Sequence, residues 1–276
     1  MLTNTILYRR RLFWECTTRR ASEFGDLEPT LYTLTPSLSE ITRTWAVQSG
    51  NDWTHIIRGF TRKSLTYPTD RLPALAGIAS AIKIITGDRY IAGVWISQLI
   101  VNLSWYPNAV IPDEKISGIP SGSWASVDAK VEFHIWLDYQ PMVTVIAPNR
   151  MNLGTRLSVQ GCLSRARVLG KSQPLGIFKY NMEMIDPPFL TTKSCGATQL
   201  LHFDAVKHAQ PLGTKLTCLL WAIDGLMKDW CNAGLKLLEA TGHENNEYRR
   251  IGWAKVYDVE SGSFDLKAEQ TVISIV

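Results

Sequence analysis

Val131-Glu132-Phe133-His134-Ile135 is the stretch on which the fold turns. Apolar and polar residues alternate in it with period two, the pattern of a strand with one buried face. Between about residues 38 and 105 the chain shows helical spacing instead, and downstream of residue 131 the strand pattern keeps returning. Met142–Ile146 is apolar and bounded by Pro141 and Pro148. Leu157, Val159 and Gly161 alternate on toward Val168. Leu200–Val206, Leu216–Ile223, Leu235–Leu238, Ile251–Val256 and Thr271–Val276 complete the set. Residues 171–199 hold Pro174, Pro187, Pro188 and Gly196 and read as a long loop with one strand at Ile177–Ile185. Many short strands separated by turn residues predict an antiparallel sheet, as a sandwich or a partly closed barrel.

Working back toward the start, Pro112, Gly118, Pro120 and Gly122 form a linker-like stretch. Before it, Asn51 and Asp52 can cap a helix carrying Trp53, Ile56, Ile57 and Phe60 at positions i, i+3, i+4 and i+7. Thr69 or Asp70 can supply the next N-cap oxygen, with Pro73 tolerated in the first turn. Leu72, Leu75, Ala76, Ala79, Ile82 and Ile85 make that helix's apolar stripe, and Gly87 stops it. A third helix is predicted from Asp88, with Ile91, Trp95, Leu99 and Leu103 on one face and Pro107 closing it. Residues 21–38 are loop, and Leu7 to Trp14 is a strand candidate broken by arginines. The class expected is α+β: an N-terminal strand and loop segment (1–37), a small helical bundle (38–110) and an antiparallel β domain (111–276).

Hydrophobic residues make up 45% of the 276 and charged residues 20%, which is enough apolar material for a core and excludes wholesale disorder. Residues 1–110 carry 12 basic and 8 acidic side chains, against 17 of each in 111–276, so the net charge of +4 comes from the front. Arg9, Arg10, Arg11, Arg19 and Arg20 supply much of it and form a candidate interaction surface. Five arginines fall short of the basic stripe that nucleic-acid binding needs, so that partner is not expected.

Cys16, Cys162, Cys195, Cys218 and Cys231 contain no C-x-x-C pair and no zinc spacing, and read as free thiols in a reducing compartment. Arg9–Arg11 interrupts any apolar signal core. Met1–Arg11 has the arginines and hydroxyls of a mitochondrial presequence, but Phe13, Trp14, Glu15 and Cys16 follow at once and read as folded structure. A cytoplasmic location is expected, with a mitochondrial one as the alternative. Tyr90–Trp105 contains Ser97, Gln98, Asn102 and Ser104 and is too short to span a bilayer, so it is read as a core helix.

Candidate chemistry is sparse. His202-Phe203-Asp204 sets an imidazole and a carboxylate two residues apart on a strand, and His208 follows; together they could seed a metal site or an acid–base pair. The competing reading is the polar face of a half-buried strand. Ser121, Ser123 and Ser126 surround Trp124 without a G-x-S-x-G elbow, so hydroxyls satisfying a turn around an anchored indole are expected. The glycines never form G-x-G-x-x-G or a P-loop, and no cofactor is predicted. Gly242-His243-Glu244-Asn245-Asn246 reads as a polar turn between strands. Ten tryptophans could stack on sugars or bases, but Trp53, Trp95 and Trp221 sit on apolar faces and read as core anchors.

Several stretches, in order, resemble the region that follows the HET domain in fungal heterokaryon-incompatibility proteins. Leu12-Phe13-Trp14-Glu15-Cys16 resembles the strand just after that domain. Trp53 through Ile57, Leu65-Thr66, and the run from Asp70, Arg71 and Leu72 to Ala79 resemble its helical segment. Tyr90-Ile91-Ala92-Gly93-Val94-Trp95, with Leu103-Ser104-Trp105 after it, resembles the next helix. Pro120-Ser121-Gly122-Ser123-Trp124-Ala125-Ser126-Val127-Asp128 is similar to the Pro-Ser-Trp-Ser-Trp-Ala-Ser-x-Asp signature, with Gly122 where Trp is common. Tyr248-Arg249-Arg250-Ile251-Gly252-Trp253 is similar to a late strand. The HET domain itself, with its Toll/interleukin-receptor-like fold and any signalling or nucleotide-cleaving activity, has no counterpart here. The resemblance therefore implies a truncated member, a short paralogue or an incomplete gene model.

Three functions follow as expectations. The first is a non-catalytic interaction or regulatory module of self/non-self recognition and programmed cell death, binding a protein partner of HET type. The second is a hydrolase or metal enzyme built on His202, Asp204 and His208. The third is a glycan- or nucleic-acid-binding β module.

Overall fold

The structure, a computed structural model, describes residues 4–8, 11–15, 20–22, 25–26, 51–108, 116–134, 138–146, 156–172, 179–186, 199–204, 213–224, 230–260 and 268–276. It is a mixed helix and strand fold. Strands β1 (Asn4–Tyr8), β2 (Arg11–Glu15), β3 (Arg20–Ser22) and β4 (Gly25–Asp26) make an antiparallel four-stranded sheet in sequence order. The strand candidate over Leu7–Trp14 is thus two strands, β1 and β2, paired from Asn4↔Glu15 to Tyr8↔Arg11.

Helix α1 spans Asn51–Thr61 and buries Trp53, Ile56 and Ile57 as its spacing predicts, with Phe60 packed at the margin. A 3-10 turn, Pro68–Asp70, runs directly into α2 (Arg71–Thr86). Asp70 holds the N-cap position of α2, but its side chain makes no capping hydrogen bond. The chain ends α2 at Gly87 in a left-handed conformation, φ 67°, where a Cβ would be strained. The buried face of α2 is Arg71, Leu75, Ala79 and Ile82, narrower than the stripe predicted from sequence, because Ala76 and Ile85 are exposed.

The predicted third helix does not form as one element. Residues 90–95 make a tight hairpin, β5 (Tyr90–Ile91) against β6 (Val94–Trp95). A 3-10 turn, Ile96–Gln98, and a four-residue helix α3 (Leu99–Asn102) follow. The reason lies in Ala92 and Gly93, which both take positive φ, 46° and 94°, as a two-residue hairpin turn requires. The apolar spacing of Ile91, Trp95, Leu99 and Leu103 fits a helix face, yet a single turn dipeptide redirects the backbone. Residues Trp105–Pro107, predicted to end a helix, form β7 and pair with β8 (Val131–Phe133).

The remaining strands are β9 (Tyr139–Pro141), β10 (Val143–Val145), β11 (Leu157–Gly161), β12 (Leu163–Ser172), β13 (Lys179–Asp186), β14 (Gln199–Phe203), β15 (Lys215–Asp224), β16 (Trp230–Ala240), β17 (Glu247–Glu260) and β18 (Thr271–Ile275). They form one ten-stranded sheet, with β9 set beside β15. Its pairings are antiparallel apart from a short parallel contact between β17 and β18. The sheet curls so that β16, already paired with β15, also pairs along β17. It is not closed into a barrel: the described register between β13 and β14 is the single pair Tyr180↔Leu201. Strand spacing left a sandwich and a partly closed barrel both open, and the structure has one curled sheet that does not close fully, since periodicity fixes which face is buried but not which edges meet.

Two of the apolar clusters explain how the helices and the sheet are joined. One gathers Trp53, Ile57, Leu75, Ile82, Trp95, Trp105, Trp124 and Phe133. The other brings Val94, Leu99 and Leu103 against Leu219, Trp221, Trp253 and Ile273. The segment 90–107 contributes to both, so it stands between the helices and the strands. Among the described residues no helix is long and apolar enough to cross a membrane.

The hairpin turn is tightly constrained. A Cβ on Gly93 would lie 2.6 Å from Trp124 Nε1, in a backbone conformation that L residues rarely adopt. Gly93→Ala is expected to destabilise the protein by about 3 kcal/mol, from overpacking and strained φ together. Gly77→Ala, on α2 with nothing within 4 Å of the new methyl, is expected to be neutral or stabilising. Urea midpoints of the two variants check this contrast.

Candidate functional site at the helix–sheet junction

The signature around Trp124 folds into a short 3-10 turn, Trp124–Ser126, whose hydroxyls are all engaged. Ser123 Oγ accepts from Ala125 N at 3.1 Å and donates to the Ala92 carbonyl at 2.6 Å. Ser126 Oγ donates to the Ser123 carbonyl at 2.7 Å. Ser121 Oγ donates to the Val276 carbonyl and accepts from Arg250 N at 2.9 Å. The indoles of Trp124 and Trp53 both donate to the carbonyl of Gly93, at 2.9 and 3.0 Å. Trp53 also stands edge-on to Trp95, with ring centroids 5.8 Å apart. These serines work as turn hydroxyls around a core indole, as the sequence predicts.

A second set holds charges in the interior. Arg71 is 3% exposed; its Nη2 reaches Asp128 Oδ1 at 2.8 Å, and its guanidinium also donates to the Ala129 carbonyl. Arg250, fully buried on β17, stacks its guanidinium 3.6 Å from the Trp105 ring centroid. Its Nη2 donates to the Trp105 carbonyl at 2.6 Å and to Asp204 Oδ1 at 3.1 Å. Burial lowers the Arg250 pKa, with Asp204 opposing that shift. Beside it, Lys236 on β16 donates from Nζ to the Leu103 carbonyl at 2.6 Å and lies 4.3 Å from the Trp221 ring centroid. Arg250 Nη1 approaches the same carbonyl at 3.5 Å.

An apolar cavity of about 50 Å³ lies against Lys236 and Arg250. Val94, Leu99 and Leu103 line it from the connecting segment, Leu157 from β11, and Lys236 and Arg250 from the sheet. Arg156, also at the cavity, is held by Glu244 at 2.8 Å and by Glu247.

A third cluster gathers polar groups from separate strands. His134 Nε2 is 2.9 Å from Asp224 Oδ2 and 3.1 Å from Lys255 Nζ, while Asn232 donates to Asp224 Oδ1 at 2.7 Å. Burial pushes the Asp224 carboxyl up, but hydrogen bonds from His134 and Asn232 and the Lys255 charge outweigh it and leave the pKa lowered. Burial lowers the Lys255 amine despite that carboxylate.

The residues singled out from sequence divide clearly. Asp204 is fully buried against Arg250, and His202 stacks on Tyr106 with ring centroids 4.5 Å apart. The polar outward face expected of this stretch is therefore corrected for Asp204, and its carboxylate is committed to a guanidinium. His208 lies outside the described residues, as do Arg9, Arg10, Arg19 and Cys16. Arg11, Trp14 and Glu15 lie on β2 and Arg20 on β3. Leu72 packs against the helical cluster, and Arg249 makes an exposed pair with Glu239 at 3.0 Å. Trp53, Trp95, Trp105, Trp124, Trp221 and Trp253 are all buried, so these six offer no stacking surface. Among the described residues, Cys162, Cys218 and Cys231 are buried thiols not joined to one another in a disulfide, and no three His, Cys, Asp or Glu side chains are grouped to hold a metal ion.

Sequence reasoning missed Lys236 and the His134–Asp224–Lys255 cluster. A signal existed for the first, a lysine inside the apolar run Leu235–Leu238. None existed for the second, which is assembled by pairing of distant strands. No protein-family model, curated protein or solved structure matches the chain.

Arg250→Met leaves Asp204 buried without its cation and is expected to cost about 4 kcal/mol. Arg249→Met, one residue away on an exposed pair, is expected to change stability by less than about 0.5 kcal/mol. Chemical denaturation of both variants tests the assignment.

Lys236 gives a pH prediction. Burial, then the Arg250 charge, hold its amine well below the ordinary lysine value, with Asp204 opposing. The unfolded chain then binds more protons than the folded one between the two values, so this group adds stability as pH rises. Relative to Lys236→Met, the wild-type protein is expected to gain stability as pH rises through the interval below the ordinary lysine value of about 10.4. Buried Cys218, pushed up to about 12, and Cys231, up to about 11, act oppositely above about pH 8.5, but equally in both proteins. A flat difference in unfolding free energy across the interval would contradict the prediction.

Proposed function

We propose that this chain is a non-catalytic recognition module of the kind that follows the HET domain in fungal heterokaryon-incompatibility proteins, acting by contact with a protein partner. One observation carries the reading. Helix α2 is apolar on both sides: Leu75, Ala79 and Ile82 face the core, while Ala74, Gly77, Ala81, Ile84 and Ile85 are exposed. Ile84 is 84% exposed. Ser80 and Lys83 interrupt that outer face, but its apolar residues are numerous enough to suit a protein partner.

The resemblance adds a candidate for that partner, a HET domain. The stretches quoted for it are far apart in sequence, yet Trp53, Gly93 and Trp124 are joined through one carbonyl, and Arg71 is paired with Asp128. Their chemistry is used up in holding the fold, which favours a scaffold over a catalyst. The arginines at 9–11, 19 and 20 remain a second proposed contact surface, and an intracellular site of action is part of the same proposal.

The test is size-exclusion chromatography of the chain mixed with a HET domain from a fungal incompatibility protein. A complex at micromolar concentration is expected. The double substitution Ile84→Glu with Ile85→Glu should abolish it while changing stability by less than about 0.5 kcal/mol per site, since both positions are exposed. No complex, or one indifferent to both substitutions, would overturn the reading.

A further inference from the structure

The cavity at the junction plays no part in contacts made by α2, and its floor is chemically unlike its walls. The walls are aliphatic: Val94, Ile96, Leu99, Leu103, Leu157 and Ile275. Of the three basic residues that line it, Arg156 is tied up by Glu244 and Glu247, while Lys236, 1% exposed, and Arg250, 0% exposed, lie in the interior. Among the described residues, the Lys236 amine makes one hydrogen bond, to the Leu103 carbonyl, and otherwise meets the faces of Trp221 and Trp253. The carboxylate in this group, Asp204, is bound to Arg250.

Two separate effects make a lysine nucleophilic near neutral pH: loss of solvent and a neighbouring cation. Both act on Lys236. It is enclosed by indoles and aliphatic chains, and it shares the Leu103 carbonyl with the Arg250 guanidinium. The depressed basicity of its amine agrees with that setting.

The walls then decide what could reach the amine. A polyol or a nucleotide would lose its water and gain no hydrogen-bond partners from aliphatic side chains. A short hydrocarbon chain loses nothing there. The volume, about 50 Å³, is roughly a third of the ~150 Å³ apolar cavity that holds benzene, so the enclosed part of a ligand is a few carbons long.

We propose that Lys236 captures small aliphatic aldehydes or ketones entering this cavity, as a reversible imine. The Nζ lone pair attacks the carbonyl carbon and forms the C–N bond. The carbonyl oxygen takes up the two amine protons in turn and leaves as water. Nothing is oxidised or reduced, and hydrolysis returns the free amine and the carbonyl compound. The Arg250 guanidinium, which approaches the same Leu103 carbonyl as the Lys236 amine, is a positive group close to where negative charge develops on that oxygen.

Butanal with cyanoborohydride at about pH 7.4, applied to the full chain and followed by peptide mass mapping, tests this. The hydride reduces an imine to a stable secondary amine and so records where it formed. An ordinary lysine, pKa about 10.4, is only about one part in a thousand neutral at that pH, so Lys236 is expected to carry at least about tenfold more label than exposed Lys63, Lys83, Lys130 or Lys215. Leu157→Trp narrows the cavity without touching the amine and should cut the Lys236 label severalfold while the label on exposed lysines stays constant. Labelling confined to exposed lysines, in a protein whose near-ultraviolet circular dichroism shows it folded, would overturn the proposal. So would undiminished Lys236 labelling in a folded Leu157→Trp variant.

Discussion

Two indole N–H groups, from Trp53 on the first helix and Trp124 in the signature turn, converge on the carbonyl oxygen of Gly93. All three residues are buried, so neither donor has water as an alternative, and a buried donor left unmade costs about 1–3 kcal/mol. That single acceptor fixes the hairpin at 90–95 against α1 on one side and the 124–126 turn on the other. Ser123 holds the adjacent Ala92 carbonyl, so both turn carbonyls are occupied. The glycine is needed twice over, for its positive φ and for the space that Trp124 takes.

From that hairpin the chain passes directly into the cationic layer beneath it. Leu103 and Trp105, a few residues further on, present the carbonyls that Lys236 and Arg250 use. A buried guanidinium–carboxylate pair and a second buried basic group are costly to hold in a dry interior, and an apolar replacement of the same shape would often be as stable. What the arrangement provides is register: Lys236 and Arg250 each tie a carbonyl of the connecting segment to β16 or β17. It also sets an amine of unusual environment beside an apolar cavity, where a hydrocarbon core would have left an inert wall.

The legible part of the fold was the part written in local periodicity. The i, i+3, i+4, i+7 spacing from Trp53 predicted the buried face of α1, and the alternation around Val131 and Phe133 predicted buried strand positions. Gly87 marked the end of α2 because a left-handed C-cap is a local requirement. The segment 88–105 misled because its apolar spacing suits a helix, while the turn at Ala92-Gly93 depends on two residues and on the indoles packed against them. Asp204 misled in the opposite way: its neighbour in sequence is His202, but its partner, Arg250, arrives through the pairing of β14 with β17. The same holds for His134, Asp224 and Lys255. Which strand edges meet is decided by the whole sheet, and nothing within a few residues of any of them encodes it.

The helices, the hairpin and the sheet are tied into one unit through the Gly93 carbonyl and through Lys236 and Arg250. Native-state hydrogen exchange read by mass spectrometry tests that most directly. Peptides from 51–61 and 71–86 should share the protection of β16 and β17 and lose it together with them as denaturant is raised. Helical peptides that exchange well before the sheet, with the sheet still protected, would show that the junction does not bind the two parts into one structure.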